Sequence, residues 1–405
     1  MKIVHINTND SGGGAAIACI RHCEAMRAIG HDSSIVVLKK NTDIDFVKRY
    51  RGSFLKYLFN RVINKIIDKY CQFLNAIGQY SILYPGLNFS QSKEVKFADV
   101  IIIHWINNGT ISLHGIEEIL KLGKPTYWYM HDMFPITGGC HHSFGCFSFM
   151  SSCESCSIVR NNKFPSFSKK QLKIRAKCFD RFNNLSFIAP SRWLTNLAEQ
   201  SIISKNHNVY CIPNVINTEV FKPLSSTKKK FGLNPSKKTI LFGNASLNSP
   251  FKGIQYTIDC LKLLDPAKYE ALIVGGEFRA SDYNIKLNVI SIGFISSAEE
   301  MVDVYNACDV FLITSVAENY PNVVLESMAC GKPCVGFPTG GIPDLIHHKT
   351  TGYLTEKYDA NKLAEGLEWI FSNQERYVKL ANAARKQVLQ ENSYTQISSI
   401  YKGII

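Results

Sequence analysis

Val310-Phe-Leu-Ile-Thr-Ser-Val-Ala-Glu318-Asn-Tyr-Pro-Asn-Val-Val-Leu-Glu326-Ser-Met-Ala-Cys-Gly331-Lys-Pro333 contains a strand, a loop and a helix in sequence. The apolar run Val310 to Thr314 has the pattern of a strand buried on both faces. Pro321 suits the first turn of the helix that follows, where its missing N–H would be unpaired in any case. Gly331 suits the left-handed position just past that helix, and Pro333 bars its continuation. Glu318 therefore falls in the loop at the carboxyl end of a strand. Asn319, Tyr320, Pro321 and Asn322 open the helix, whose free amides and dipole favour an anion. Glu326 follows within the first turns. Two carboxylates beside a phosphate-sized anion hole fit a sugar nucleotide, the acids taking hydroxyls and the amides taking phosphate. Taken alone, the same two acids would equally read as solvated residues at a helix start.

The stretch resembles the E-x7-E motif of retaining GT-B glycosyltransferases of the glycogen-synthase-like group, of bacterial surface-polysaccharide type. The continuation Glu-Ser-Met-Ala-Cys-Gly-Lys-Pro and then Gly340-Gly-Ile-Pro-Asp344 carries the likeness further. The resemblance implies that Glu318 faces the donor sugar and that Glu326 holds the nucleotide ribose. It also implies an α/β GT-B fold, two facing Rossmann-like domains with parallel sheets and a cleft between them.

Elsewhere the chain alternates strands and helices in two halves of similar length, which predicts two parallel-sheet α/β domains. The expected boundaries are 1–223 for an acceptor domain with a cysteine-rich loop at 137–160, and 224–238 for a lysine-rich linker. A donor domain at 239–385 follows, with a C-terminal helix at 386–405 that the family sends back to the first domain. Met1 to Ile6 reads as a strand running into Ser11-Gly-Gly-Gly-Ala-Ala16, where Gly13 and Gly14 let a ligand approach a helix start. His104 and His131 each end an apolar strand and so point toward a ligand crevice. His131 coincides with the family's sugar-contacting histidine, which makes His131 and Glu318 the catalytic pair. The resemblance further implies a donor diphosphate on Lys252, near Gly243. Asn244 stands where the family commonly has a second base.

The 405 residues are 45% hydrophobic and 20% charged, as in soluble globular proteins, and the formal charge is 46 − 33 = +13. Such a balance favours anionic partners. With no signal sequence before Met1 and no membrane-length apolar run, the expected location is cytoplasmic, at most peripheral on the inner membrane face. Leu55, Leu58, Phe59, Val62 and Ile66 recur at helical spacing among basic residues. This predicts an amphipathic helix over 53–77, either packed on the domain or lying on an anionic membrane surface. Cys140, Cys146, Cys153 and Cys156 include one C-x-x-C, and four thiols so close in sequence suit a structural zinc, with His141 or His142 as substitutes. Loosely packed free thiols are the alternative.

The reading is thus a retaining transferase that uses a UDP- or GDP-sugar and a saccharide or lipid-linked saccharide acceptor. Lys252 and helix dipoles are expected to bear the leaving-group charge, with no divalent metal on the diphosphate; the chain's single Asp-x-Asp is Asp43-Ile-Asp45. A different GT-B activity, epimerase or phosphorylase, is the nearest alternative. A nucleic-acid-binding protein with a zinc knuckle would leave both glutamates unexplained, and no nucleic-acid partner is expected.

Overall fold

The computed structural model describes every residue except 53, 73–78, 155, 157, 160–165, 245–248, 277 and 357, and the side chains at 54, 67, 68, 70–72 and 244. The chain divides into two compact units, Met1–Asn214 with Ile397–Ile405, and Val215–Gln396.

The first unit is built on a seven-stranded parallel sheet. Its strands are β1 (Lys2–Asn9), β2 (Asp32–Lys39), β3 (Val47–Arg49), β4 (Val100–Ile103), β5 (Thr126–Tyr129), β6 (Leu185–Ala189) and β7 (Val209–Cys211), in the order β3-β2-β1-β4-β5-β6-β7. The four residues of β4 and the four of β5 are all buried, as expected for strands covered on both faces. The second unit has six parallel strands: β8 (Lys238–Asn244), β9 (Tyr269–Gly275), β10 (Asn288–Ser291), β11 (Val310–Ile313), β12 (Cys334–Gly336) and β13 (Gly352–Leu354). Their order is β10-β9-β8-β11-β12-β13. Strand order reverses between β1 and β4 and again between β8 and β11. In open sheets ligands bind outside the carboxyl ends of the strands at such a reversal. The lysine-rich residues 224–238 are pinned to the second unit: Leu224 N–H donates to Asn306 Oδ1 at 2.8 Å, and Lys228 Nζ lies 2.7 Å from Asp309.

Helix α1 (Gly14–Ala28) follows β1 without a side-chain cap. Helix α2 (Phe54–Gln72) covers the described part of the expected amphipathic segment; residues 53 and 73–78 of that segment lie outside the described residues. Its faces are inverted. Asn60 and Asn64 are buried, while Leu55, Leu58, Phe59, Val62 and Ile66 are exposed, Phe59 by 62%. No described helix is long and apolar enough to cross a membrane.

The end of the chain closes the first unit. Within Tyr394–Lys402, a helix, Ser398 Oγ donates to Ala25 O at 2.8 Å and the Tyr401 hydroxyl meets His22 Nδ1 at 3.2 Å. The Tyr127 hydroxyl on β5 donates to Ile404 O at 2.7 Å.

Candidate functional site

In the second unit the site forms where β8 and β11 end. Helix Asn322–Ala329 starts one residue later than its sequence implies, because Pro321 is its N-cap, with extended backbone, rather than its first turn. Gly331 adopts the expected left-handed conformation at φ 69°. Lys252 Nζ and Glu318 Oε2 form an ion pair at 2.6 Å, with both side chains largely buried. Their backbones are held together as well. Thr314 Oγ1 donates to Lys252 O at 2.9 Å, and Val316 N–H donates to Phe251 O at 2.8 Å. Gly253 makes this approach possible, since its φ is 61° and a Cβ there would sit 2.1 Å from Thr314 O. Gly243, Lys252 and Glu318 line one small cavity of about 30 Å³.

Glu326 is buried, and its Oε2 accepts from the Tyr305 hydroxyl at 2.8 Å. Asn319 is buried at the loop. Tyr320 lies in the core, where its hydroxyl accepts from Asn392 Nδ2 at 2.9 Å, so its ring is committed to packing and leaves only main-chain atoms for a ligand. Asn322 opens the helix, and the Asn244 side chain lies outside the described residues. A phosphate arriving at Lys252 would free the Glu318 carboxylate to accept from a hydroxyl. At an effective dielectric of about 20, a charge pair roughly 4 Å apart is worth about 4 kcal/mol before desolvation.

In the first unit His131 ends a row of three imidazoles. His104 Nδ1 and His131 Nε2 are 2.9 Å apart, as are His5 Nδ1 and His104 Nε2. The row follows from strand register. His5 pairs with Ile102, two residues before His104, and Ile102 pairs with Tyr127 on β5. Side chains alternate with period two, so each histidine shares a face with the last and stands further toward the carboxyl end. Burial lowers the pKa of His5 to about 3 and that of His131 to about 4, although Asp132 opposes the latter, and burial holds His104 well below its ordinary value. All three are neutral at neutral pH.

A neutral imidazole has one N–H and one lone pair, so the row has a direction. His5 Nε2 is buried without a partner. Orphaned buried N–H groups are rarer than orphaned acceptors, which makes that atom a lone pair. Nδ1–H of His5 then donates to His104, and Nδ1–H of His104 donates to His131. His131 is left with Nδ1–H, a donor. His5, Cys19 and His104 also place ligand atoms within 4.8 Å of one another. The 2.9 Å contact between two of them is a hydrogen bond, shorter than the roughly 3.3 Å between nitrogens on tetrahedral zinc.

The loop after His131 is held by residues the sequence does not mark. Arg175 is fully buried and donates to Thr137 O, Phe134 O and Pro135 O at 2.7–2.8 Å, with its guanidinium 4.5 Å over the Phe134 ring. His141 bonds Asp132 Oδ2 at 2.6 Å and Ser81 Oγ at 2.9 Å. Burial would raise the Asp132 carboxyl, but His141 lowers it below its ordinary range. Ser81 is buried and lines none of the described cavities, so this Ser–His–Asp line fastens the loop.

The four cysteines expected to hold zinc lie in one neighbourhood, Cys146, Cys153 and Cys156 all acting on the Cys140 thiol. Among the described residues, no three of Cys140, Cys146, Cys153 and Cys156 reach ligand spacing. Cys140 packs with Tyr80, Ile158 and Val159, with its thiol pushed up to about 12 by burial, and the Cys153 thiol is pushed up to about 11 by the same cause. His141 is engaged by Asp132 and Ser81. Gly13 and Gly14 line a separate cavity of about 500 Å³.

Comparison with known proteins matches residues 225–387 to the model for glycosyl transferases group 1. The N-acetyl-alpha-D-glucosaminyl L-malate synthase of Bacillus anthracis is 26% identical over 213 residues, 50% of this chain and 55% of that protein. The chain thus spans about half the length of the curated relatives it matches. Sucrose-phosphate synthase from Thermosynechococcus elongatus has a TM-score of 0.69 at 17% identity, covering 99% of this chain and 97% of that one. Anabaena HepE in complex with UDP and glucose has a TM-score of 0.66 at 18% identity, covering 100% and 98%. On these matches the chain has the GT-B fold, and its residues 225–387 are similar to the glycosyl transferases of group 1.

Proposed function

We propose that the protein is a retaining glycosyltransferase that moves a sugar from a UDP- or GDP-sugar to a saccharide or lipid-linked saccharide acceptor, in surface-polysaccharide synthesis. The observation that carries this reading is the Lys252–Glu318 ion pair at the sheet's strand-order reversal. It provides a cation for a diphosphate and a carboxylate for a sugar, eight residues ahead of the buried Glu326. Lys252 and the helix start at Asn322 stabilise the leaving diphosphate, and no step is assigned to a metal. Glu326 takes the ribose hydroxyls. His131 and Glu318 position the donor sugar. A UDP complex of a similarly folded protein supports the donor class.

Thermal-shift screening of UDP- and GDP-sugars tests the donor, since a ligand that binds only the folded state raises the melting temperature. Glu326→Ala is expected to weaken nucleotide binding about ten- to hundredfold, the worth of a charged hydrogen bond. Unchanged affinity would remove Glu326 from the site. The exposed apolar stripe of α2, flanked by Lys56 and Lys69, favours a peripheral place on an anionic membrane and hence a lipid-linked acceptor. Phe59→Ser combined with Val62→Ser should abolish sedimentation with phosphatidylglycerol vesicles. Undiminished sedimentation would move the contact off α2.

A further inference from the structure

The first unit contains a cavity of about 500 Å³ whose walls come from the β1–α1 turn, Trp105 and one face of α2. A second cavity of about 640 Å³ shares Leu38, Lys39 and Tyr57 with it. Between them the walls carry Lys39, Arg49, Arg51, Arg61 and Lys65, and no described Asp or Glu lines either. None of these five bases makes an ion pair with a described residue; Arg61 only lies over the Tyr57 ring. Lys252, Lys228 and Lys230, by contrast, each pair with a carboxylate. A concave wall of one sign focuses potential and concentrates ions of the other.

The apolar side of α2 does not supply these charges. Tyr57, Arg61, Asn64 and Lys65 recur at helical spacing on the cavity side, and the exposed apolar stripe lies around the other. Backbone at Gly12 to Gly14 adds wall without side chains, at the start of the fifteen-residue α1. Five cations of mixed reach around two joined cavities exceed what a neutral sugar needs. Trp105 and the asparagines supply surface for a sugar ring.

We infer that the joined cavities bind the phosphate or diphosphate of the acceptor, so that the molecule receiving the sugar is a phosphorylated saccharide or one carried on a diphosphate. Only the word acceptor rests on the proposed glycosyltransferase reading; the anion site rests on the cavity.

The test is calorimetric titration of inorganic pyrophosphate into the full chain already saturated with UDP, or with GDP if that is the nucleotide bound. Pyrophosphate should still bind. Lys39→Ala and Arg61→Ala should each weaken it about ten- to hundredfold, while nucleotide affinity changes less than about threefold. Both side chains are exposed, and an unchanged melting temperature checks that the variants fold. Pyrophosphate that no longer binds once nucleotide is present, or that binds both variants like wild type, overturns the inference. A vesicle arm separates the sources of the phosphate. If Lys39→Ala and Arg61→Ala lose phosphatidylglycerol vesicles but keep pyrophosphate affinity, the bases serve a lipid surface and the cavity assignment fails. If no nucleotide binds and pyrophosphate still does, the cavity stands and the glycosyltransferase reading falls.

Discussion

Arg175 and His104 show what single residues do away from the reacting atoms. Arg175 satisfies three carbonyls of the turn beyond His131 and makes no ion pair with a described residue. Arg175→Met would strand those carbonyls. At 1.5–3 kcal/mol for a charged hydrogen bond, a net loss of about 3 kcal/mol is expected, or about 6–12 °C in melting temperature for a unit of this size. Thermal denaturation checks it, and a shift under about 2 °C would mean water replaces the guanidinium. His104 is buried and bonded to His131, so under the proposed function it would act as a positioning residue through His131. His104→Phe is expected to lower kcat at least tenfold with nucleotide affinity unchanged. His104→Asn, which keeps a donor near Nδ1, should recover part of the rate. The readout that separates orientation from packing is the ¹⁵N shift of the His131 nitrogens, expected to show Nδ1–H in wild type and mixed tautomers in His104→Phe. A wild-type Nε2–H signal would reverse the row.

At the scale of elements, three adjacent strands carry the histidine row, and this sets an acid limit. A histidine free in the unfolded chain titrates near 6.5, whereas these stay neutral in the fold to about 3 and about 4 for His5 and His131. The unfolded chain therefore binds more protons below pH 6.5. Stability is fully present above that value and is lost as pH falls toward about 4. Each such group costs about 1.4 kcal/mol per pH unit, so with His104 the three cost about 4 kcal/mol per unit. Denaturant midpoints measured from pH 7 to 5 should fall steeply below 6.5; a flat profile would mean the row is hydrated. The strands themselves were legible, because apolar runs with polar ends need no partner to be recognised. The histidine row was not, since it depends on strand order and register. Nor was the inversion of α2: helical spacing reveals two faces but not which one the domain covers, and here Asn60 and Asn64 take the inner side. Nearness in sequence shows the four cysteines, but not that Cys140 packs against Tyr80 or that His141 bonds Asp132.

At the scale of the whole molecule, two sheets with the same strand order sit in one chain, and the motif around Glu318 was enough to read the second. Its glutamates, proline and glycine act within a short range, where sequence and geometry nearly coincide. The first unit's two joined cavities are lined from β1, α1, β2, α2 and the residues after β4 together, which no local pattern encodes. Its last piece is Ile397–Ile405. Removing those residues deletes the Ser398, Tyr401 and Ile404 contacts to α1 and β5. A chain ending at Gln396 should keep the second unit's melting transition and lower the first unit's, as read by differential scanning calorimetry. Equal loss in both would show that the tail stabilises the molecule globally.

That discontinuity has a consequence during synthesis. Synthesis runs from the N-terminal side at about 5–20 residues per second, so everything up to Asn214 leaves the exit tunnel lacking the unit's final helix. The second unit, continuous from Val215 to Gln396, is complete before the first. Early-made strands must therefore wait, for about ten to forty seconds at those rates, with the α1 surface around Ala25 and His22 uncovered. A nascent chain stalled before Ile397 is the form in which a chaperone would find that surface open.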